Sequence, residues 1–255
     1  MSTSRKKAGP QLSKPRNWPP KSVLEPGTSH KWVPVVAFDF HEVVVSFMEQ
    51  FARVANASYP GANLDASKAG FYNFGYDPEV GINPVEFQHL FKHFCMLSSG
   101  GYGDLPMIPG IKEQMEAIKA AGIGITILTW VPGATDVVGD DKNPLHSGIA
   151  QRETIRLIEK LGLPVDVDRD VKFISPNQKP GYLGKKHIPL LVEDNRTTAV
   201  AVADMAHAAI LVPTSYNQVT CPNVLRLKSR DELSARVIGF YEELRSRGLL
   251  LEGRR

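Results

Sequence analysis

Val35-Val36-Ala37-Phe38-Asp39-Phe40-His41-Glu42-Val43-Val44 reads as an apolar strand that delivers one aspartate and then turns at once toward a helix. A carboxylate at the end of such a strand is suited to be a nucleophile or a metal ligand. The strand itself is expected from Val33 to Phe38, and similar apolar runs follow at Ile123 to Leu128, Val171 to Ile174, Ile188 to Val192, Ala208 to Val212 and Val224 to Leu227. Amphipathic helical stretches separate them. That alternation predicts an α/β fold, a Rossmann-like parallel sheet flanked by helices. Ile111, Met115 and Ile118 recur at helical spacing before Gly122, and Ile155, Ile158 and Leu161 do so before Gly162. Both patterns end on the residue that most readily stops a helix. A last helix is expected from about Asp231 to Arg247, with Leu233, Val237, Phe240, Tyr241 and Leu244 facing the core.

Roughly eighty residues separate the first two strands, too many for one crossover helix. The excess predicts a small helical cap inserted after the first strand. One helix is expected near Ser46 to Ala57. Another should begin at Asn83-Pro84-Val85-Glu86, where a capping side chain precedes proline and a glutamate follows, and should carry the apolar stripe Phe87, Leu90, Phe91 and Phe94. An insert leaving the carboxyl end of the first strand is placed to cover a site there.

The chain has 255 residues and 42% hydrophobic composition, enough for one substantial core. No run approaches the ~20 apolar residues of a membrane span, and no apolar segment follows the basic N-terminus as a secretory signal requires. A cytoplasmic protein without membrane contact is therefore expected. Cys95 and Cys221 lie far apart, which suggests neither a disulfide framework nor a zinc knuckle. Net charge is +3, but residues 1–31 carry seven basic residues against Glu25 alone, together with five prolines. This stretch is read as a flexible arm, a solubilising segment or a weak contact for a polyanion. The expected organisation is then an arm at 1–31, an α/β core at 32–46 and 105–248, a cap at 47–104, and a tail at 249–255.

The chemistry is assembled from strand ends. Asp39 closes the first strand, Thr129 the second, and Glu193-Asp194 the fourth, while Lys179 and Lys185 follow the third. A carboxylate nucleophile works against phosphorus when a hard cation offsets the repulsion, and Mg²⁺ favours one or two carboxylates with phosphate oxygens and water. A hydroxyl and an ammonium would bind the phosphoryl oxygens.

In this order of residues the chain resembles the haloacid dehalogenase-like superfamily of phosphohydrolases over roughly residues 33 to 228. Leu105-Pro106-Met107-Ile108-Pro109-Gly110-Ile111 and Tyr216-Asn217 are similar to the 5′(3′)-deoxyribonucleotidase branch. The resemblance implies Asp39 as nucleophile and metal ligand, Thr129 with Lys179 or Lys185 binding phosphate, and Asp194 with Glu193 anchoring Mg²⁺; of the lysines Lys179 is preferred, because it precedes Pro180 as the family's lysine often does. It also implies that the residue two after Asp39 transfers protons and offers its main-chain carbonyl to the metal. That position is His41, where the family has a second aspartate, and Glu42 stands where it usually has glycine. An imidazole can transfer protons near neutral pH. The implied function is a Mg²⁺-dependent phosphomonoesterase acting through an aspartyl-phosphate, on a small phosphorylated substrate such as a nucleotide. The alternatives are an impaired phosphate- or metal-binding assembly module, and a terminal phosphatase of nucleic acid helped by the basic arm.

Other features are read blandly. His89 and His93 have the i,i+4 spacing of a zinc pair but lie opposite the apolar stripe, as polar-face residues do. Ser98-Ser99-Gly100-Gly101-Tyr102-Gly103 lacks the lysine and hydroxyl that end a P-loop and reads as a flexible hinge. Phe71, Tyr72, Phe74 and Tyr76 are either small-domain core or a base-stacking platform.

Overall fold

The computed structural model describes residues 18–25, 31–59, 61–70, 82–97, 99–131, 144–217 and 223–251. The strands are β1 (Val35–Phe38), β2 (Gly124–Thr129), β3 (Val171–Phe173), β4 (Leu190–Glu193), β5 (Ala208–Leu211) and β6 (Val224–Arg226). They form one parallel sheet in the order β3-β2-β1-β4-β5-β6. Helices α1 (Lys21–Leu24), α2 (Phe47–Ser58), α3 (Pro84–Met96), α4 (Ile111–Ala120), α5 (Pro144–Leu161), α6 (Val167–Asp170), α7 (Lys179–Lys186), α8 (Arg196–Asp204) and α9 (Leu233–Ser246) surround it.

The strands are apolar throughout because both faces of the sheet are covered. Side chains alternate with period two. Val36, Phe38, Leu190, Val192 and Ile210 join a large core that includes residues of α4 and α9, while Ala37, Leu191, Ala209 and Leu211 pack with Leu183 of α7 and Ala199 and Val202 of α8 on the other face. Gly122, at φ +77°, and Gly162, at φ +59°, follow α4 and α5 in the left-handed conformation, as the helix-stop reading expects. The five core positions expected on the last helix are all buried.

Strand order reverses between β1 and β4, which is where open α/β sheets leave a crevice for ligands. Phe38 pairs with Val192, and the Asp39 amide donates to the Val192 carbonyl at 2.8 Å. The carboxylates following the two strands therefore emerge side by side.

The chain leaves the sheet through Val44 to Ser46 and returns through Pro106 to Ile108. These crossings are joined by Ser46 N–H to the Pro106 carbonyl at 2.8 Å and Ile108 N–H to the Val44 carbonyl at 2.9 Å. Between them lie α2 and α3. The start of α3 is the expected capping box: Asn83 accepts from Val85 and Glu86 amides, and Glu86 accepts from the Asn83 amide. Phe87 and Phe94 are buried, with Leu90 and Phe91 packed against the core. His89 and His93 are exposed.

Three expectations change. The stretch around Gly100 to Tyr102 is pinned rather than free: Gln50 donates to the Gly100 carbonyl at 2.6 Å, Asp104 accepts from the Gly100 amide at 2.7 Å, and Tyr102 is buried. Part of the supposed arm packs on the core, with Val23 fully buried, Trp18 against Phe240, and Trp32 Nε1 donating to the Val23 carbonyl at 3.1 Å. The start of the supposed tail is likewise tied down, because Leu249 and Leu251 bracket Trp32 with backbone hydrogen bonds of 2.8 Å each. In each case a buried aromatic residue supplies apolar contact that local composition does not reveal. The remaining basic residues of positions 1–17, the aromatic run at 71–76 and Cys221 lie outside the described residues. No described helix is long and apolar enough to cross a membrane.

Candidate active site

Asp39, Glu193 and Asp194 bring carboxylate oxygens within 4.8 Å of one another at the switch point. Lys179, the first residue of α7, inserts between two of them. Its ammonium lies 2.9 Å from Asp39 Oδ1 and 2.8 Å from Glu193 Oε2, and the side chain is 2% exposed. Burial works against that charge, but the Asp39 and Glu193 carboxylates outweigh it and hold the Lys179 pKa above the usual lysine value. Lys185 is exposed near the other end of the same helix and lines neither cavity described below. Six residues of α-helix turn it away, so of the two candidate lysines only Lys179 joins the cluster.

Glu193 is committed to structure on both oxygens. Oε2 holds Lys179, and Oε1 accepts from the amides of Asp194 at 3.2 Å and Asn195 at 3.1 Å. Asp194 accepts from the Tyr216 hydroxyl, while its carbonyl accepts from Asn217 Nδ2 at 2.8 Å. Burial and the nearby Asp39 push the Asp194 carboxyl up to about 7. Three buried carboxylates thus share one ammonium. Burial and the neighbouring carboxylates also raise Glu193 well above the usual carboxylate range, and a hard divalent cation, which suits an all-oxygen donor set, would relieve that repulsion. Asp39, Asp194 and Glu193 are the carboxylates that would hold such an ion, with Glu193 the most heavily engaged by Lys179 and by backbone amides.

His41 leaves β1 into a box of rings. Its centroid lies 5.5 Å from Phe40, 5.6 Å from Phe47 and 5.5 Å from Tyr102, all edge-on. Burial pushes its pKa down to about 4 despite the pull of Asp39, so the imidazole is neutral at pH 7. Nε2 is buried and, among the described residues, has no hydrogen-bond partner. Thr129, at the end of β2, is fully buried with Oγ1 in the same condition.

Asp39, His41, Lys179, Glu193 and Asp194 line a cavity of about 310 Å³, whose other wall is apolar: Phe47, Met48, Phe87, Phe91, Tyr102 and Trp130. α2 and α3 contribute most of these, so the insert covers the carboxylate cluster. No protein-family model matches the chain, and no curated protein matches it. Solved structures do. The fold is that of a HAD family hydrolase. One from Deinococcus radiodurans R1, determined with bound phosphate and sodium, aligns with a TM-score of 0.50 over 88% of this chain and 100% of its own, at 17% identity. A haloacid dehalogenase-like family hydrolase from Xanthomonas campestris aligns at 0.48, covering 86% and 97% with 16% identity. CbbY from Rhodobacter sphaeroides in complex with phosphate aligns at 0.45, covering 79% and 96% with 17% identity. At these identities the likeness is one of fold, and the HAD fold agrees with the sheet and crevice described above.

Arg230 carried no signal in the sequence, and Tyr216 was noted there only for a resemblance. Arg230, from beyond β6, donates through Nη2 to the Glu42 carbonyl at 2.7 Å across 188 residues. Tyr216 reaches Asp194 from the loop after β5. Glu42, noted above only as a departure from a pattern, adopts φ +56° and caps α2, accepting from the Met48 amide at 2.7 Å where the N-cap Ser46 makes no side-chain bond. Only a local break in the family pattern at Glu42 could have drawn attention to it.

Proposed function

We propose that this chain is a Mg²⁺-dependent phosphomonoesterase of the haloacid dehalogenase-like superfamily, with residues 47–104 as its cap and a (deoxy)nucleotide as its substrate. The observation that carries the reading is the convergence of Asp39, Lys179 and Asp194 at the switch point of the sheet. Asp39 attacks phosphorus, the ester P–O bond breaks, and water then hydrolyses the aspartyl-phosphate. Lys179 and Thr129 bind the phosphoryl oxygens and stabilise charge as it shifts. His41 is the group that exchanges protons with the leaving oxygen and with water. Mg²⁺, held by Asp39, Asp194 and the His41 carbonyl, would supply charge neutralisation between the two anions. The ring-lined wall favours a substrate with a flat apolar part, as a nucleobase has.

The second reading, a phosphate- or metal-binding module that has lost turnover, is favoured by one observation: the His41 ring packs among Phe40, Phe47 and Tyr102 with Nε2 buried and unbonded among the described residues. Phosphate release from deoxyribonucleotides, ribonucleotides and an aryl phosphate with Mg²⁺ separates the two. The enzyme reading expects turnover by the parent that Asp39→Asn lowers at least about a thousandfold. A silent parent with activity gained in His41→Asp would establish the module instead.

A further inference from the structure

A second cavity, of about 570 Å³, opens beside the first and shares Glu42, Met48 and Tyr216 with it as a common wall. Its size lies within the ~300–1,000 Å³ of small-molecule sites. Its lining is of another kind. Where the first cavity is walled by rings, this one presents Ser46, Glu49 and Arg53 from around the start of α2, Ser67 from the turn Ala66–Lys68, and Arg230 from beyond β6.

Charge and hydrogen bonding decide what such a lining holds. Two guanidiniums, Arg53 and Arg230, face three carboxylates, Glu42, Glu49 and Asp65, of which Asp65 already pairs with Lys68 at 3.2 Å. A second phosphate would meet as much repulsion as attraction. An apolar group fares no better, because it would leave these polar side chains stripped of water. Arg230 Nη1 is already buried without a partner among the described residues, and an unmade bond to a buried donor is costly. A group of no net charge that donates and accepts at closely spaced atoms satisfies both signs. Hydroxyls on adjacent carbons have that property.

We infer that the second cavity binds the hydroxyl-bearing part of a phosphate ester, a sugar or polyol, beside the phosphoryl group held at Asp39. The inference rests on the phosphomonoesterase reading. It adds a specificity site, at Arg53, Ser67 and Arg230, in the cavity that shares Glu42, Met48 and Tyr216 with the first.

The test is calorimetric binding to the full-length Asp39→Asn protein with Mg²⁺, using D-ribose 5-phosphate, propyl phosphate and inorganic phosphate. Ribose 5-phosphate is expected to bind about tenfold more tightly than propyl phosphate, the worth of one or two net hydrogen bonds. Ser67→Trp, which puts a bulky ring into the second cavity from an exposed position, and Arg53→Met, also exposed, should bring that ratio close to one with inorganic phosphate within about twofold. Equal affinity for the two esters overturns the inference and leaves the phosphatase reading standing. A ratio that survives both substitutions also overturns it, because hydroxyl recognition then lies elsewhere. Failure of inorganic phosphate to bind any form overturns the phosphatase reading and the inference with it.

Discussion

The loops that leave β1 and β4 stand side by side and both deliver carboxylates, yet they are held in opposite ways. After β4, Glu193 is bonded to Lys179 and two amides, and Asp194 is bonded through its side chain to Tyr216 and through its carbonyl to Asn217. After β1, the chain turns through Glu42 in a left-handed conformation, His41 leans on three rings, and its Nε2 stays unbonded among the described residues. The β4 loop is over-determined by hydrogen bonds, as a rigid anion-holding wall should be. The β1 loop is held instead by ring contacts and a left-handed backbone turn, and it leaves one hydrogen-bonding position of His41 open.

That contrast breaks most sharply at Lys179. Lys179→Met leaves Asp39 and Glu193 buried without their ammonium, and a loss of about 3–5 kcal/mol is expected. Urea denaturation reads it directly; a loss below about 1 kcal/mol would mean that the β4 side is no more constrained than the β1 side. On the opposite loop the expected effect is on rate. His41→Asn should lower turnover about a hundredfold or more while the melting temperature moves by less than about 4 °C, the shift that about 1 kcal/mol would produce. Steady-state kinetics with a thermal scan distinguishes this from simple unfolding.

Smaller changes sharpen the comparison. Tyr216→Phe removes the hydroxyl that orients the Asp194 carboxylate, and Mg²⁺ affinity by calorimetry should fall about tenfold. Glu42→Gly is expected to shift stability by less than about 1 kcal/mol. Glycine relieves the left-handed strain of about 1 kcal/mol, while loss of the carboxylate on the Met48 amide costs a similar amount as a lost helix cap. A larger loss in chemical denaturation would show that the cap outweighs the strain, and a clear gain the reverse.

Much of the site was readable along the chain. Apolar runs ending in Asp39, Thr129 and Glu193-Asp194 are local patterns, and a parallel sheet sets its strand ends on one rim. The preference for Lys179 over Lys185 rested only on the proline that follows Lys179, and it is the winding of α7 that buries the one and exposes the other. The second role of Glu193 was not readable, since a pair of adjacent carboxylates looks alike in sequence whether it grips a metal or an ammonium.

What the sequence by itself determined about this protein is the six strands in chain order, the helices α2, α3, α4, α5 and α9 and the carboxylates at the strand ends, since these rest on side-chain period and on capping within a few residues. The tertiary structure alone decided that Arg230 holds the Glu42 carbonyl, that Tyr216 meets Asp194, that Val23 and Trp18 belong to the core, and that two cavities of unlike lining share one wall. Those contacts join residues tens to hundreds of positions apart, and packing creates them without leaving a periodic trace in the chain.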